Sequence, residues 1–340
     1  MQKLKVAVIG IGKIAEDVHI PYFHQSAYSE VVALCGRNKE KTAAIANKWG
    51  IAGAFDSIAE MLAIAQPDIV SVCTPNAFHI QPVLQALDAG CHVFCEKPPG
   101  VSAAEAVAME NKAIEKKRLL AYNLTLRQKQ ETKLIKQKIA EGFFGKIYHV
   151  NAYFLRRRGI PGWGNFTNKE IQGGGALIDV GVHILDLALH LIGYSKPTAL
   201  LANTYDHIGK AGGVGLRGKW DPAKFSVEDG CFAHIKLANN VSITLQVSFA
   251  LNMKQKEKTN LEIFGSKAGA NLIPLEFYTE ADNQLVDTTF HFAEETNAQQ
   301  ASIEAFLQAC LGKETNICTA REGTLLQEIL DSIYENATQG

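Results

Sequence analysis

Apolar residues fall in short runs separated by helical patterns over the first third of the chain, and in alternating segments thereafter. Lys5 to Ile9 predicts a strand, followed beyond two glycines by a helix from about Ile14; Val31 to Cys35 predicts a second strand and Lys39 to Trp49 a helix. Ile69 to Cys73 reads as a third strand, and Asn76 to Ala89 as a helix that stops at Gly90, a residue type suited to ending helices. Val93 to Cys95 adds a fourth strand, Ala103 to Lys116 a helix and Leu119 to Tyr122 a fifth strand. Strand and helix in regular alternation mean a parallel sheet joined by right-handed crossovers.

The period then changes. After a helix from about Glu131 to Glu141, alternating segments follow at Lys146 to Leu155, Gly230 to Leu237, Val241 to Leu251, Asn260 to Phe264 and Thr288 to Phe292. Period-two alternation with few intervening helices predicts a largely antiparallel sheet. One strongly apolar helix, about Ala176 to Ile192, lies between the first two of these strands. The change of pattern near Tyr122 to Arg127 divides the chain into 1–122 and 123–340, as a length of 340 residues would suggest.

Composition narrows the partners. With 47% hydrophobic and 20% charged residues the chain can bury ample cores. Its 34 basic and 35 acidic side chains set up no field for a phosphate backbone, which argues against nucleic acid and for a small-molecule partner. The seven cysteines form no CxxC pair, and Cys91 with Cys95 lacks the companions of a zinc site, so no metal is expected. They read as reduced thiols of a cytoplasmic protein. The leader-like start, Met1 to Ile14, has an apolar run only from Val6 to Ile9, which fits a first strand better than a signal core. No run of about 18 apolar residues is free of charge, so no membrane span is expected.

Gly10-Ile11-Gly12-Lys13-Ile14-Ala15 follows the first strand and opens a helix, the pattern of a dinucleotide-binding turn. Gly10 permits the tight turn, Gly12 lets the backbone approach a pyrophosphate, and Ala15 lets the helix pack on the strand while its amides face the anion. The acidic residue expected after the second strand to hold ribose hydroxyls is missing. The strand ends Cys35-Gly36-Arg37, where a small residue and an arginine can accommodate a 2′-phosphate, which favours NADP over NAD. An Arg37 that stacks on adenine or is merely solvated stays open.

Two further constellations carry chemistry. Cys95-Glu96-Lys97-Pro98-Pro99 ends the fourth strand, and ligands of open α/β sheets lie beyond the carboxyl ends of strands. Glu96 and Lys97 should therefore project toward the nicotinamide, with Lys97 able to stabilise an alkoxide; a surface lysine before a proline turn is the plain alternative. Thr74-Pro75-Asn76 ends the third strand and is expected to cap the helix that includes His79, its polar groups against the cofactor. On the apolar helix, Asp179 and His183 are four apart and their face continues to Asp186 and His190. Burying such groups is costly unless they are paired. The stripe reads as a catalytic pair with His183 as base, as a chelating set, or as structure, the last preferred for His190.

Taken together, Gly10-Ile11-Gly12, Glu96-Lys97-Pro98 and Asp179-Val180-Gly181-Val182-His183 resemble the glucose-fructose oxidoreductase, inositol dehydrogenase and rhizopine-catabolism (Gfo/Idh/MocA) family, over nearly the whole chain. The resemblance implies an α/β N-terminal Rossmann domain and an α+β C-terminal domain with a large, mostly antiparallel open sheet, used in dimers or tetramers. It implies hydride transfer between a nicotinamide and a hydroxyl-bearing carbon of a sugar or polyol, with Lys97, Asp179 and His183 as the catalytic group. Arg156-Arg157-Arg158-Gly159-Ile160-Pro161-Gly162-Trp163-Gly164 looks like the family's covering loop, carrying Trp163 and Arg158 over as substrate residues; solvated arginines are equally compatible with Arg156 and Arg157. One departure is that Arg127 is followed by Gln128-Lys129-Gln130, where many members have an aromatic and a proline. NAD-assisted glycosidase chemistry and a non-catalytic dinucleotide sensor are the rival functions.

Overall fold

Runs of Val, Ile, Leu and Ala with both faces covered make the strands of the first half, as the sequence pattern requires of a parallel sheet. The computed structural model describes residues 3–292 and 295–338; Met1 and Gln2 of the leader-like start are among those outside the described residues. The first elements are β1 (Leu4–Ile9), α1 (Ile20–Gln25), β2 (Ser29–Cys35), α2 (Lys39–Trp49), β3 (Gly53–Phe55), α3 (Ile58–Ala65), β4 (Ile69–Val72), α4 (Ile80–Asp88), β5 (His92–Cys95), α5 (Ala103–Lys116) and β6 (Leu120–Tyr122). Then come α6 (Gln130–Ala140), β7 (Ile147–Arg156), α7 (Lys169–Gln172), α8 (Val182–Ile192), β8 (Pro197–Tyr205), α9 (His207–Ala211), β9 (Gly230–Leu237), β10 (Ser242–Ser248), β11 (Glu257–Gly265), β12 (Gly269–Asn271), β13 (Glu276–Ala281) and β14 (Gln284–Thr289). The chain closes with α10 (Ala298–Cys310), β15 (Cys318–Thr319) and α11 (Ala320–Thr338).

Two compact units result, the first Met1–Thr125 with Asn297–Gln327, the second Leu126–Thr296 with Glu328–Gly340. Residues 297–327, placed with the C-terminal part by the sequence pattern, thus pack with the first unit. The reason is apolar burial. Ile303, Phe306 and Leu307 of α10 join the core formed by Val6, Val8, Ile20, Phe23 and Phe94. Phe306 stacks on Phe94 at 4.9 Å between centroids. A fully buried side chain of this size contributes about 1.5–3 kcal/mol.

The first unit's sheet has the order β15-β6-β5-β4-β1-β2-β3, with all neighbours parallel except β15 against β6. The order reverses between β1 and β4, the place where such sheets bind ligands at their carboxyl ends. Backbone bonds hold those ends in line: Gly10 N–H donates to Cys35 O at 2.9 Å, Cys73 to Ile9 at 2.7 Å, Glu96 to Val72 at 2.9 Å and Asn123 to Cys95 at 2.9 Å.

The second unit is an eight-stranded sheet in the order β14-β13-β12-β11-β7-β10-β9-β8. Only β7 and β10 pair in parallel. Ala176 to Ile192 is helical as expected, but Leu177–Gly181 is a wide π-type turn in which Val182 N–H donates to Leu177 O. The helix lies over β7 and β10, close enough at Gly181 that an added Cβ would stand 3.3 Å from Val247. Lys169–Ile192 is long and apolar enough to cross a membrane by composition, yet 83% of that window is buried inside the protein, as befits a core helix.

The polar stripe expected along this helix divides. Asp186 is fully buried and pairs with Arg127 in two bonds, at 2.9 and 2.6 Å, with Tyr194 closing the group. Lys136 reaches His190 at 2.9 Å. Burial, then Arg127 and Lys136, depress His190 to about 3, so it stays neutral. Those two residues are structural, tying α8 to the segment around α6.

Candidate active site

The glycine turn meets the demands of a dinucleotide. Gly10 has φ +91°, and a Cβ there would stand 2.7 Å from the Cys73 carbonyl carbon, so no other residue fits between β1 and β4. A Cβ on Gly12 would meet nothing within 4 Å, which leaves open space where a pyrophosphate must approach the backbone. Ala15 is fully buried and starts a π-type turn, Ala15–His19, while Lys13 and Ile14 before it are already helical, in line with the helix expected from about Ile14. Ile11 packs beside Gly36, Ile14 is half-buried, and exposed Lys13 pairs with Asp17.

At the end of β2, Arg37 is exposed, and among the described residues it makes no hydrogen bond or ion pair. Asn38 beside it caps α2, accepting from Lys41 N–H at 2.8 Å. The Lys41 ammonium donates to the Ile11 carbonyl at 3.1 Å. Sequence reasoning overlooked this second cation because it lies on a helix of otherwise ordinary surface pattern. Gly36 has a packing reason to be glycine, since a Cβ would stand 2.8 Å from Thr42 Oγ1.

The residues after β4 depart from the expected cap. Pro75 takes the N-cap position with no side-chain bond, and Thr74 Oγ1 donates instead to Phe78 O at 2.8 Å. The proline side chain has no oxygen to offer the helix amides, while the Pro75 backbone carbonyl accepts from Phe78 N–H at 2.8 Å. Asn76 is buried. His79 is fully buried with both ring nitrogens on backbone oxygens, Nδ1 to Pro98 at 3.0 Å and Nε2 to Thr74 at 2.9 Å. It therefore bridges the β4 and β5 ends rather than offering a polar group outward. Burial lowers its pKa.

Glu96 and Lys97, expected to project together, point differently. Glu96 is buried and accepts from His19 Nε2 and Asn123 Nδ2, each at 2.7 Å, while His19 Nδ1 meets Ser71 Oγ at 2.7 Å. Burial would raise Glu96, but the bonds from His19 and Asn123 hold it down to about 2. Burial would likewise lower His19, and the Cys73 sulfur with the Glu96 carboxylate raises it to about 10. The pair is a buried ion pair that locks the β5 end to the helix after the glycine turn. Lys97 is the accessible residue of Val93–Gly100.

In the second unit the same contrast recurs. From Gly174 to Leu191 every residue is buried except Asp179 and His183, which alone reach the surface. Asp179 lies inside the wide turn and His183 just after it, and such turns are frequent at functional sites. Arg156, open to a solvated reading from sequence, is 9% exposed and bonds Glu257 at 3.2 Å. Burial and Arg217 lower its pKa, while the charges of Asp179 and Glu257 raise it. Arg157 is the solvated one. Arg158 is fastened to Leu251 O at 3.2 Å and Asn252 Oδ1 at 2.6 Å, and Trp163 is 52% exposed with its edge on Phe166. Among the described residues no group of three or more His, Cys, Asp or Glu is placed to hold a metal.

Comparison with known proteins agrees with this architecture. Residues 4–124 match the model of an oxidoreductase family with an NAD-binding Rossmann fold, and residues 132–271 that of the GFO/IDH/MocA C-terminal domain. The chain is 39% identical over 337 residues to D-glucoside 3-dehydrogenase of Escherichia coli K12, covering 99% of this chain and 96% of that protein. It is 25% identical to D-xylose 1-dehydrogenase (NADP(+)) 2 of Haloferax volcanii, over 98% of this chain and 97% of the other. A levoglucosan dehydrogenase solved with NADH and levoglucosan shares the fold at a TM-score of 0.83 and 21% identity, covering 99% of this chain and 98% of that one. With both domains matched and one relative similar from end to end, the chain is an oxidoreductase that belongs to the GFO/IDH/MocA family.

Proposed function

We propose that this protein oxidises a secondary hydroxyl of a sugar, with a pyranose or glucoside as the substrate class, and runs the reverse reduction under the opposite mass action. The single observation that carries the reading is the exposure pattern: in two buried segments the accessible positions are the ionisable ones, Lys97 in the first and Asp179 with His183 in the second. The names of the relatives support a sugar, since they act on a D-glucoside, D-xylose and levoglucosan.

Gly10, Ile11, Gly12, Lys13 and Ile14 would hold the dinucleotide, with Gly36 and Arg37 at its ribose and Thr74, Pro75, Asn76 and Lys97 along the β4 and β5 ends. When bound, it supplies a hydride acceptor at nicotinamide C4. The carbinol C–H hydrogen departs as hydride, the hydroxyl proton passes to a ring nitrogen of His183, and the C–O bond becomes a carbonyl. Lys97 donates a hydrogen bond to the oxygen as charge develops. Asp179 orients His183 or a neighbouring hydroxyl. Arg158 and Trp163 serve substrate recognition. We place the enzyme in the cytoplasm, a reading supported by seven free cysteines.

Absorbance at the reduced-nicotinamide band with methyl glucosides, free aldoses and inositols tests this. Steady accumulation is expected with one of them. Sugar release with a flat signal would transfer the assignment to NAD-assisted glycosidase chemistry, and binding without turnover to a sensor.

A further inference from the structure

The proposed mechanism leaves one buried carboxylate unused. Glu228 lies just before β9, 9% exposed, and among the described residues it has no basic partner. Its Oε2 accepts from Gly175 N–H at 2.8 Å, and its Oε1 from Leu177 N–H at 2.8 Å. Its backbone carbonyl accepts from Ala176 N–H at 3.1 Å. Tyr334 of α11 donates its hydroxyl to Oε1 at 2.9 Å, and the Ile178 N–H bonds that hydroxyl in turn. A helix leaves its first four N–H groups without intrahelical partners. Here Glu228 and Tyr334 take all four.

The glycines before the helix belong to this cap. A Cβ on Gly174 would stand 2.0 Å from the Tyr334 hydroxyl, and one on Gly175 would stand 2.0 Å from the Glu228 carbonyl oxygen. Bare backbone is what lets the chain come so close. The next residue, Asp179, makes the first intrahelical bond, to Gly175 O at 3.0 Å. Leu177 is fixed at both ends, its N–H on Glu228 and its carbonyl on Val182 across the wide turn.

We infer that Glu228, backed by Tyr334, is a positioning residue: it caps the helix so that the wide turn presents Asp179 and His183 together. The inference rests on the proposed roles of those two residues. Burial pushes the Glu228 carboxyl up, and the bonds from Leu177, Gly175 and Tyr334 pull it part of the way back down; in its carboxylate form it also offsets the positive end of the helix, which would otherwise disfavour a protonated His183.

The test compares Glu228→Gln, Glu228→Ala and Tyr334→Phe in the full-length protein. The amide of Glu228→Gln opposes a donor to the Gly175 N–H and removes the charge while keeping the volume. We expect kcat to fall by about tenfold to a hundredfold in Glu228→Gln and less in Tyr334→Phe, because small displacements of reacting groups are costly. Dinucleotide affinity, which depends on the first unit, should stay within about twofold, and Glu228→Asp should recover part of the rate. Two readouts need no turnover: amide exchange at 175–178 should accelerate, and the His183 imidazole titration, followed by NMR, should move to lower pH. A wild type inactive on every sugar, with these two shifts present, would overturn the functional reading and keep the positioning one. Unchanged kcat, exchange and His183 titration in Glu228→Gln would overturn the inference, as would losses of rate, dinucleotide affinity and melting temperature in strict parallel. If Glu228→Ala fails to fold, Glu228→Gln and Tyr334→Phe decide alone.

Discussion

His19 and Glu96, 77 positions apart, meet at 2.7 Å as a buried ion pair at the carboxyl end of the first unit's sheet. The signs of their shifts define a stability window. Glu96 is held down to about 2, so its contribution is whole above its unfolded value of about 4.3 and lost as pH falls through about 2. His19 is raised to about 10, so its contribution is whole below about 6.5 and lost as pH rises through about 10. Urea unfolding should therefore show a maximum between about pH 4.5 and 6.5. Glu96→Gln should cost about 3–5 kcal/mol within that window and flatten both limbs, because it leaves His19 buried beside no carboxylate. A stability profile with no slope from pH 6.5 to 10 in the wild type would refute a charged His19.

Lys97→Ala and His183→Ala should each lower kcat by about a hundredfold or more while dinucleotide affinity changes little, as expected when a proton-transfer or oxyanion-stabilising group is lost. Steady-state kinetics beside equilibrium binding of the dinucleotide separates the two effects. Full turnover in both variants would dismiss the proposed roles.

Local patterns were legible in the sequence. The glycine turn, the Lys97 turn and the Asp179–His183 pair sit within segments whose period or spacing declares them, and the strand ends that carry the first two follow from the alternation of strand and helix. What escaped was pairing at a distance. His19 meets Ser71 and Glu96 over 52 and 77 positions, and Glu228 meets Gly175 over 53. No periodicity links such residues, so Glu96 looked like a cofactor ligand and Glu228 gave no signal at all. The stripe from Asp179 to His190 was read as one face because only its own helix was in view. Its division depends on Arg127 and Lys136 from another segment. β8 also escaped: it is an edge strand, half-exposed along its length, with no strict alternation to announce it.

The face of the second unit's sheet away from α8 should form an interface between copies. His149, Asn151, Tyr153 and Glu262 are already laced together there, with Asn151 on Glu262 at 2.9 Å and His149 on Ser242 at 2.7 Å. Such a fixed polar network loses little conformational freedom on association. An isologous dimer places it against itself. Light scattering should give at least twice the 37.1 kDa of the chain, and Glu262→Lys should shift the mass toward the monomer. A wild type that stays monomeric at micromolar concentration would reject the interface.

Cofactor choice should favour NADP over NAD, and the end of β2 is where it would be decided. No carboxylate follows that strand to accept both ribose hydroxyls and repel a phosphate; Gly36 and the exposed Arg37 stand there instead. A guanidinium can meet phosphate oxygens in paired, charge-assisted bonds. Lys41, fixed on the Ile11 carbonyl at 3.1 Å, adds a second positive charge beside the glycine turn. A hydrogen bond to a charged group contributes about 1.5–3 kcal/mol, so the ratio of kcat/KM for the two cofactors should be roughly ten to a hundred in favour of NADP. Arg37→Ala should remove most of that ratio by weakening NADP alone, and Lys41→Ala a smaller part. Gly36→Asp is a less direct probe, because its Cβ would stand 2.8 Å from Thr42 Oγ1 and displace the first turn of α2. A wild type that prefers NAD, or an Arg37→Ala variant whose ratio does not move, would mean that Arg37 stacks on the adenine or stays in solvent, and that the ribose is read elsewhere.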